Sequence, residues 1–201
     1  MKKVYIGYSR PVGAKCLNYA QKNMVSGFEL CNTMEECDIF ISVMYDTLLK
    51  EDFIKGRECF NFHPGVLPAY RGAGAFTWSI INGENTAGIT LHEIDSDIDT
   101  GALISVRQFD IKNNDTAYDL FLKGMDLIYA MFVESFHSLL RGEYSSHKAK
   151  KMPSSLYTRK MLDEKKDITN LVRAFTFPNK EGLYYYTSDG RKIFLEPFKG
   201  E

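Results

Sequence analysis

The sequence predicts an α/β protein with a Rossmann-like, mostly parallel sheet flanked by helices and a small β-hairpin appended near the C-terminal end. Three observations predict this class. The chain opens with a short apolar strand at residues 4–7 that runs through a turn into a helix. A continuous apolar run at 38–43 is typical of a strand covered on both faces of a parallel sheet. The amphipathic pattern at 115–141 predicts a long helix that packs on such a sheet.

The other elements of the first half follow from the same periodicities. We expect a helix at 14–24, a brief strand at 28–31 and a strand at 60–63. Gly7 and Gly13 do not make the spacing Gly-x-Gly-x-x-Gly that binds a dinucleotide, so that function is only weakly indicated.

The second half predicts a helix at 73–82, strands at 88–94 and 102–111, and a short helix at 163–174. Thr116 and Asp119 have the spacing of a capping box at the start of the long helix. Two β-rich runs within 183–195 surround Asp189-Gly190, which is a strong hairpin signal. An isolated hairpin is marginally stable, so it must pack on the rest of the chain or on a second subunit.

Length and composition bound the class of protein. The chain has 201 residues, of which 44% are hydrophobic and 25% charged, as in ordinary globular proteins. We expect a catalytic domain at 1–145 and an appendage of linker, short helix and hairpin at 146–201. A net charge of -1 provides no general field to attract nucleic acid. No apolar run approaches the roughly 20 residues needed to cross a membrane, and residues 1–7 do not make a secretory signal.

The four cysteines carry information about metal binding and location. Cys16, Cys31, Cys37 and Cys59 have no Cys-x-x-Cys spacing and no neighbouring histidine cluster, so neither zinc nor a disulfide framework is indicated. We expect reduced, mostly buried thiols in a cytoplasmic protein.

Asn61 and His63 are the first candidate functional residues. In an extended segment their side chains share one face, while Phe62 points into the core. Pro64 ends the strand and so delivers the imidazole at its carboxyl end, where ligands bind in open α/β sheets. A strand end with satisfied hydrogen bonds is the alternative. The following loop, with two prolines and two glycines within residues 63–72, favours a fixed geometry over that alternative.

Two further segments leave the sheet near the same edge. The loop at 95–101 carries three carboxylates in five residues, which indicates a solvated turn as readily as a site, and it lacks the completion of an EF-hand. Tyr45 and Asp46 follow the buried strand and leave the sheet at the edge expected to carry His63. They are either part of a site at that edge or a turn and helix cap.

Together these motifs resemble the folate-dependent formyltransferase family, which includes methionyl-tRNA formyltransferase, glycinamide ribonucleotide transformylase and the sugar N-formyltransferases. The resemblance covers residues 38–104 and rests on the segment 61–72, the strand at 88–90 and the loop at 97–101. It implies a formyltransferase fold whose N-terminal half is shortened. It also implies that Asn61, His63 and Asp99 are catalytic, that 10-formyltetrahydrofolate is the formyl donor, and that no metal is needed.

The resemblance implies binding residues as well. Expected pterin contacts are Val43, Met44, Tyr45, Ile94, Asp95, Ser96 and Asp97. Expected acceptor contacts are Arg71, Gly72 and Arg173, with the basic run at 148–151 as a further candidate for phosphate. For each cationic side chain, surface solvation is an equally good interpretation.

The acceptor amine is inferred largely by exclusion. Residues 167–178 resemble the segment after the catalytic domain in methionyl-tRNA and sugar formyltransferases, while the tail is too short for a tRNA-binding barrel and the charge is near neutral. We therefore expect an amino sugar on a nucleotide carrier. The alternatives are a methionyl-tRNA or glycinamide ribonucleotide formyltransferase-like enzyme, a catalytically silent folate-binding protein and a hydrolase that releases formate.

The tyrosine-rich hairpin is a candidate homodimer interface.

Overall fold

The structure is a computed structural model that describes residues 1–149, 152, 156–157, 168–186 and 190–196. The strands are β1 (Lys2–Tyr8), β2 (Phe28–Leu30), β3 (Ile39–Val43), β4 (Glu58–His63), β5 (Arg71–Gly72), β6 (Thr86–Glu93), β7 (Leu103–Asp110), β8 (Leu156–Tyr157), β9 (Tyr184–Tyr186) and β10 (Lys192–Phe194). The helices are α1 (Pro11–Lys22), α2 (Glu51–Ile54), α3 (Ala75–Ile81), α4 (Ala117–Arg141) and α5 (Ile168–Ala174), with a 3-10 turn at Met34–Glu36.

The main sheet has six strands in the order β2-β1-β3-β4-β6-β7. Its first four strands are parallel neighbours, whereas β6 and β7 pair antiparallel at the other side. The expected sheet flanked by helices is therefore confirmed, as a mixed sheet with a parallel half. Because β1, β3 and β4 run the same way, their carboxyl ends at Tyr8, Val43 and His63 meet at one edge.

Strand β3 is covered on both faces, as its continuous apolar sequence predicts. Ile39, Ile41 and Val43 belong to the main core, which also contains the buried faces of α1, α3 and α4. Phe40 points the other way and packs with Cys37 in a smaller cluster. All five residues of β3 are buried, which explains why the strand shows no alternation of polar residues.

Helix α4 begins and ends as its sequence predicts. The Thr116 hydroxyl accepts a hydrogen bond from Asp119 N, and the Asp119 carboxylate accepts one from Thr116 N at 2.8 Å. Such an N-terminal cap stabilises a helix by about 1 kcal/mol. Gly142 follows the last turn with φ 68, a left-handed conformation that glycine adopts without strain.

The C-terminal segments contact the first part of the chain at several points. His147 pairs with Leu103, β8 pairs with β5, and α5 packs on α3. Strands β9 and β10 form the predicted antiparallel hairpin. Residues 150–151 of the basic run, 163–167 of the expected helix and Asp189 lie outside the described residues, and the expected boundary at 145/146 stays a prediction.

The cysteines are all free thiols. Burial raises the pKa of Cys16 and of Cys59 to about 12, so both thiols are unreactive at neutral pH. Within the described ranges, no helix has both the length and the hydropathy to cross a membrane.

Candidate active site

A cavity of about 560 Å³ opens at the sheet edge where the parallel strands end. Its walls come from the ends of β3, β4 and β6 and from the loops that leave β1, β3, β4 and β6. Asn61, His63 and Asp99 all line it. The structure therefore brings together the three side chains that were expected to form the catalytic group, although they are separated by up to 38 residues in sequence.

His63 lies at the end of β4, and only 3% of the residue is exposed. Its Nε2 atom is 2.6 Å from the carbonyl oxygen of Tyr70. Because a carbonyl can only accept, Nε2 carries a hydrogen and Nδ1 is the basic nitrogen of the neutral ring. Gly65 makes this bond possible, since a Cβ at that position would lie 2.6 Å from His63 Nε2 and 2.8 Å from the Tyr70 oxygen.

Asp99 faces the basic nitrogen of His63, with Oδ2 3.4 Å from Nδ1. The same oxygen accepts a hydrogen bond of 2.8 Å from Gly72 N. Burial by itself would raise the pKa of Asp99, but its contacts with His92, His63 and the Gly72 N–H lower that pKa to about 2. Asp99 is therefore a carboxylate at neutral pH, and it is placed to stabilise a proton on His63.

Two opposing effects act on His63 itself. Burial lowers the pKa of the imidazole, and nearby His92 lowers it further, while the Asp99 carboxylate and the bond to Tyr70 raise it. Burial dominates, so the net pKa is lower than the ordinary value of 6.5. A neutral imidazole at pH 7 whose added proton would face a carboxylate is suited to act as a general base.

The fourth polar member of the site, His92, was not expected from the sequence. It lies directly opposite Asn61 in the antiparallel pair of β4 and β6. His92 Nδ1 is 2.6 Å from the Glu93 carbonyl and therefore carries a hydrogen, which leaves Nε2 to accept from Asn61 Nδ2 at 3.1 Å. This contact orients the Asn61 amide at the cavity wall. The sequence alternation of the strand at 88–94 puts His92 on one face with Thr90, but no local signal identifies Asn61 as its partner.

The expected pterin contacts mostly line the cavity. Met44 and Tyr45 do so on the loop after β3, and so do all four residues of the segment 94–97. Val43 does not, because its side chain is fully buried in the main core. Met44 has φ 56 and Asp99 has φ 53, a left-handed conformation that is uncommon for residues other than glycine and that clusters at functional sites.

The expected acceptor contacts are divided. Gly72 lines the cavity, whereas Arg71 and Arg173 do not. Arg71 donates through Nε to the Ile98 carbonyl at 2.7 Å, and its Nη2 lies 3.3 Å from Asp97 Oδ2. It therefore holds the loop at 95–101, which we call the acidic loop. Arg173 donates to two carbonyl oxygens in the loop between β7 and α4, at 2.7 and 3.0 Å. The positions of both guanidinium groups thus favour a structural role.

The mouth of the cavity contains residues that the sequence did not single out. Arg10 precedes α1, and its Nη1 donates to Asp46 Oδ2 at 2.8 Å. The Ser9 hydroxyl accepts from Asp46 N, so Asp46 joins two loops instead of capping α2. Leu48, which is 72% exposed, also lines the cavity. No described group of three His, Cys, Asp or Glu side chains could hold a metal ion.

Two curated relatives match parts of the chain. The GDP-perosamine N-formyltransferase of Brucella melitensis is 40% identical over 86 residues, which cover 42% of this chain and 33% of the relative. The methionyl-tRNA formyltransferase of Clostridium tetani is 32% identical over 167 residues, which cover 78% of this chain and 54% of the relative. The chain thus spans between a third and about half of the length of these relatives.

Solved structures share the fold. Mycobacterium tuberculosis Rv3404c has a TM-score of 0.83 at 22% identity, and the match covers 100% of this chain and 99% of that chain. The Helicobacter canadensis N-formyltransferase in complex with folinic acid and dTDP-3-aminofucose has a TM-score of 0.76 at 26% identity, with 88% and 81% covered.

A family model described as formyl transferase matches residues 20–135, which is more than half of the chain. The matched range includes Asn61, His63 and Asp99, which the fold brings to one cavity. The protein therefore belongs to the formyl transferase family.

Proposed function

We propose that the protein transfers a formyl group from 10-formyltetrahydrofolate to the primary amine of a nucleotide-linked amino sugar. The observation that carries the proposal is the meeting of Asn61, His63 and Asp99 at one cavity in a member of the formyl transferase family. The folate and the amino sugar in the Helicobacter canadensis structure support the choice of donor and acceptor. The 40% identity to a GDP-perosamine N-formyltransferase supports the same class of acceptor.

The three side chains supply the functions that formyl transfer needs. The Asn61 amide donates a hydrogen bond to the oxygen that gains negative charge when an amine attacks the formyl carbon, and such a donor contributes roughly 100- to 1000-fold in rate. His63 Nδ1 takes the proton that the attacking nitrogen loses. Asp99, 3.4 Å away, stabilises the imidazolium that results. The imidazolium then gives its proton to N10 of the folate as the bond between N10 and the formyl carbon breaks, so that tetrahydrofolate leaves.

The cavity suits a folate donor, which supplies the formyl group. A pterin ring is flat and carries donors and acceptors along its edge, so it needs apolar surface on its faces and backbone groups around its rim. Met44, Tyr45 and Ile94 provide apolar surface, and the loops that contain 44–45 and 94–97 provide backbone groups. We assign pterin binding to these two loops.

We also propose that Arg10 binds a phosphate of the nucleotide carrier. Among the described residues that line the cavity, Arg10 is the only lysine or arginine, and a diphosphate needs a cation. Its present partner, Asp46, is half exposed, so the pair can open at little cost. An effect of Arg10 on the KM of the acceptor, without one on the KM of the folate, would support this assignment.

Incubation with 10-formyltetrahydrofolate and a panel of GDP-, dTDP- and UDP-linked amino sugars tests the proposed activity. We expect one acceptor to gain the mass of a formyl group by mass spectrometry, and His63→Ala to abolish that gain. Formyl transfer only to charged initiator tRNA or to glycinamide ribonucleotide would contradict the choice of acceptor. Folate binding without turnover, or release of formate without an acceptor, would contradict the proposal as a whole.

A homodimer through the β9–β10 hairpin is part of the proposal. Phe194 on β10 is 51% exposed, and Tyr184 packs against it. An exposed aromatic pair on a hairpin is suited to contact a second copy. We expect a dimer by light scattering at micromolar concentration and a shift towards monomer in Phe194→Ser. A wild-type monomer would contradict this assembly.

The expected cytoplasmic location stays a prediction.

A further inference from the structure

Three consecutive residues, Tyr70 to Gly72, hold the titratable pair His63 and Asp99 through backbone and side-chain contacts. The Tyr70 carbonyl accepts from His63 Nε2 at 2.6 Å, and Gly72 N donates to Asp99 Oδ2 at 2.8 Å. Between them, Arg71 Nε donates to the carbonyl that precedes Asp99, at 2.7 Å. The distance between His63 and Asp99 is therefore set by the conformation of this short segment, which we call the 70–72 segment.

The 70–72 segment is itself held by Tyr157, far along the chain. Gly72 and Tyr157 are partners in the parallel pair of β5 and β8, and Ala73 N donates to the Tyr157 carbonyl at 3.3 Å. Gly72 has φ 84, and a Cβ there would lie only 2.8 Å from that carbonyl. The close approach of the two backbones thus depends on the glycine.

The side chain of Tyr157 makes a second connection. Its ring stacks on the Tyr70 ring, with centroids 5.2 Å apart and planes at 15°, and it packs on Trp78 at 4.9 Å. Its hydroxyl accepts from Asn82 Nδ2 at 3.1 Å. Tyr157 therefore contacts both ends of the 70–72 segment, one with its ring and the other with its backbone.

We propose that Tyr157 is a positioning residue that keeps His63 and Asp99 in register by holding the 70–72 segment. The inference rests on the proposed function for its catalytic consequence. Tyr157 does not line the cavity and lies outside the residues 20–135 that match the family model. The C-terminal part of the chain thus contributes to the geometry of the reacting groups without touching the substrates.

The kinetic test compares variants of Tyr157 with a matched control. A displacement of about 1 Å in a catalytic group can cost roughly 100-fold, so we expect Tyr157→Ala to lower kcat by about 10- to 100-fold and to leave both KM values within about twofold. Tyr157→Phe keeps the rings and loses one hydrogen bond, so it should rescue most of kcat. Tyr118→Ala is the control, because Tyr118 is half-buried like Tyr157 but packs on Phe121 and Phe177.

A second readout does not depend on turnover. Histidine-labelled protein gives one NMR titration for each imidazole, and His63→Gln assigns the signal of His63. We expect Tyr157→Ala to shift the titration midpoint of His63. At a fixed pH, the ring signals of His137, which bonds to the Asn23 carbonyl, should keep their chemical shifts. If the wild type transfers no formyl group, this titration alone decides the positioning role.

Folding is checked by urea unfolding of each variant. If Tyr157→Ala does not fold, Tyr157→Leu, which keeps part of the apolar contact but not the ring, replaces it in both experiments. An unchanged His63 titration overturns the proposal, as does an unchanged kcat in an active enzyme. A loss of kcat equal to that of Tyr118→Ala overturns it too, because it would reflect general destabilisation.

Discussion

The two sides of the cavity are built on different principles. On the wall formed by β4, β6 and the acidic loop, the side chains of His63, His92 and Asp99 are between 2% and 12% exposed, and each is bonded to backbone or to another member. At the mouth, the side chains of Arg10 and Asp46 are 42% and 57% exposed and bind mainly each other. In the proposed function, the buried wall carries the chemistry and the mouth selects the acceptor.

The sharpest way to break this comparison is to remove the base. We expect His63→Gln to lower kcat by roughly 100- to 10,000-fold, because the proton of the attacking amine then has no acceptor, while the KM values change little. Steady-state kinetics, followed through the absorbance of the folate, measure kcat and the KM values. A variant that keeps a tenth or more of wild-type kcat would show that the buried wall does not carry the chemistry.

Removal of the oxyanion donor should have the next largest effect. We expect Asn61→Ala to lower kcat by about 100- to 1000-fold through loss of the hydrogen bond to the developing oxyanion. His92→Ala should reproduce a smaller part of this loss, because it leaves the amide present but unoriented. Equal kcat values for Asn61→Ala and the wild type, measured as for His63, would contradict the role of the amide.

The buried wall should also show in the acid dependence of stability. The pKa of Asp99 is about 2 in the folded protein, against 3.8 for an unperturbed aspartate, so its contribution is present above pH 4 and is lost as pH falls towards 2. The contribution amounts to about 2 kcal/mol. In urea unfolding, the stability difference between wild type and Asp99→Asn should therefore shrink from pH 5 to pH 2.5.

Asp46→Asn at the exposed mouth is the matched control for this experiment. Its stability difference from the wild type should be small at both pH values, because an exposed ion pair contributes little. If the stability difference between Asp99→Asn and the wild type did not shrink between pH 5 and pH 2.5, the buried wall and the mouth would not differ in how their carboxylates affect stability.

The smallest predicted effect lies at the mouth. We expect Arg10→Ala to raise the KM of the acceptor by about tenfold, with kcat and the KM of the folate within about twofold, because one charged hydrogen bond to phosphate is lost. Leu48→Ser, at an exposed position of the same mouth, controls for general disturbance of the loop. A fall in kcat with unchanged KM would place Arg10 with the catalytic group instead.

Most elements and the candidate residues Asn61 and His63 could be predicted because their signals are local, whereas Asp99 was singled out only through the family resemblance. The run at 38–43, the Pro/Gly loop after His63 and the capping box at Thr116 each act within a few residues. The place of His92 in the site could not be predicted, because its contact with Asn61 depends on the antiparallel pairing of β4 with β6. These two strands are separated in the sequence by β5 and α3. Strand pairing is a tertiary choice that single-strand alternation does not encode.

Arg71 and Arg173 show the same limit for long charged side chains. Both were expected to bind substrate, and both guanidinium groups donate to backbone carbonyls of neighbouring loops. The sequence shows that a cationic side chain is present, but the group it binds depends on which loops the fold places within its reach. The same holds for Arg10, whose position at the mouth follows from the parallel order of β1 and β3.

The bonds from Tyr70 O to His63 and from Gly72 N to Asp99 have an evolutionary consequence. Both anchors are peptide groups, so a change of side chain does not delete them directly, except for proline at position 72, which has no N–H. The ion pair at the mouth has no such protection, since Arg10 and Asp46 bind each other through their side chains. The two backbone anchors are therefore less exposed to point mutation than the side-chain contact at the mouth.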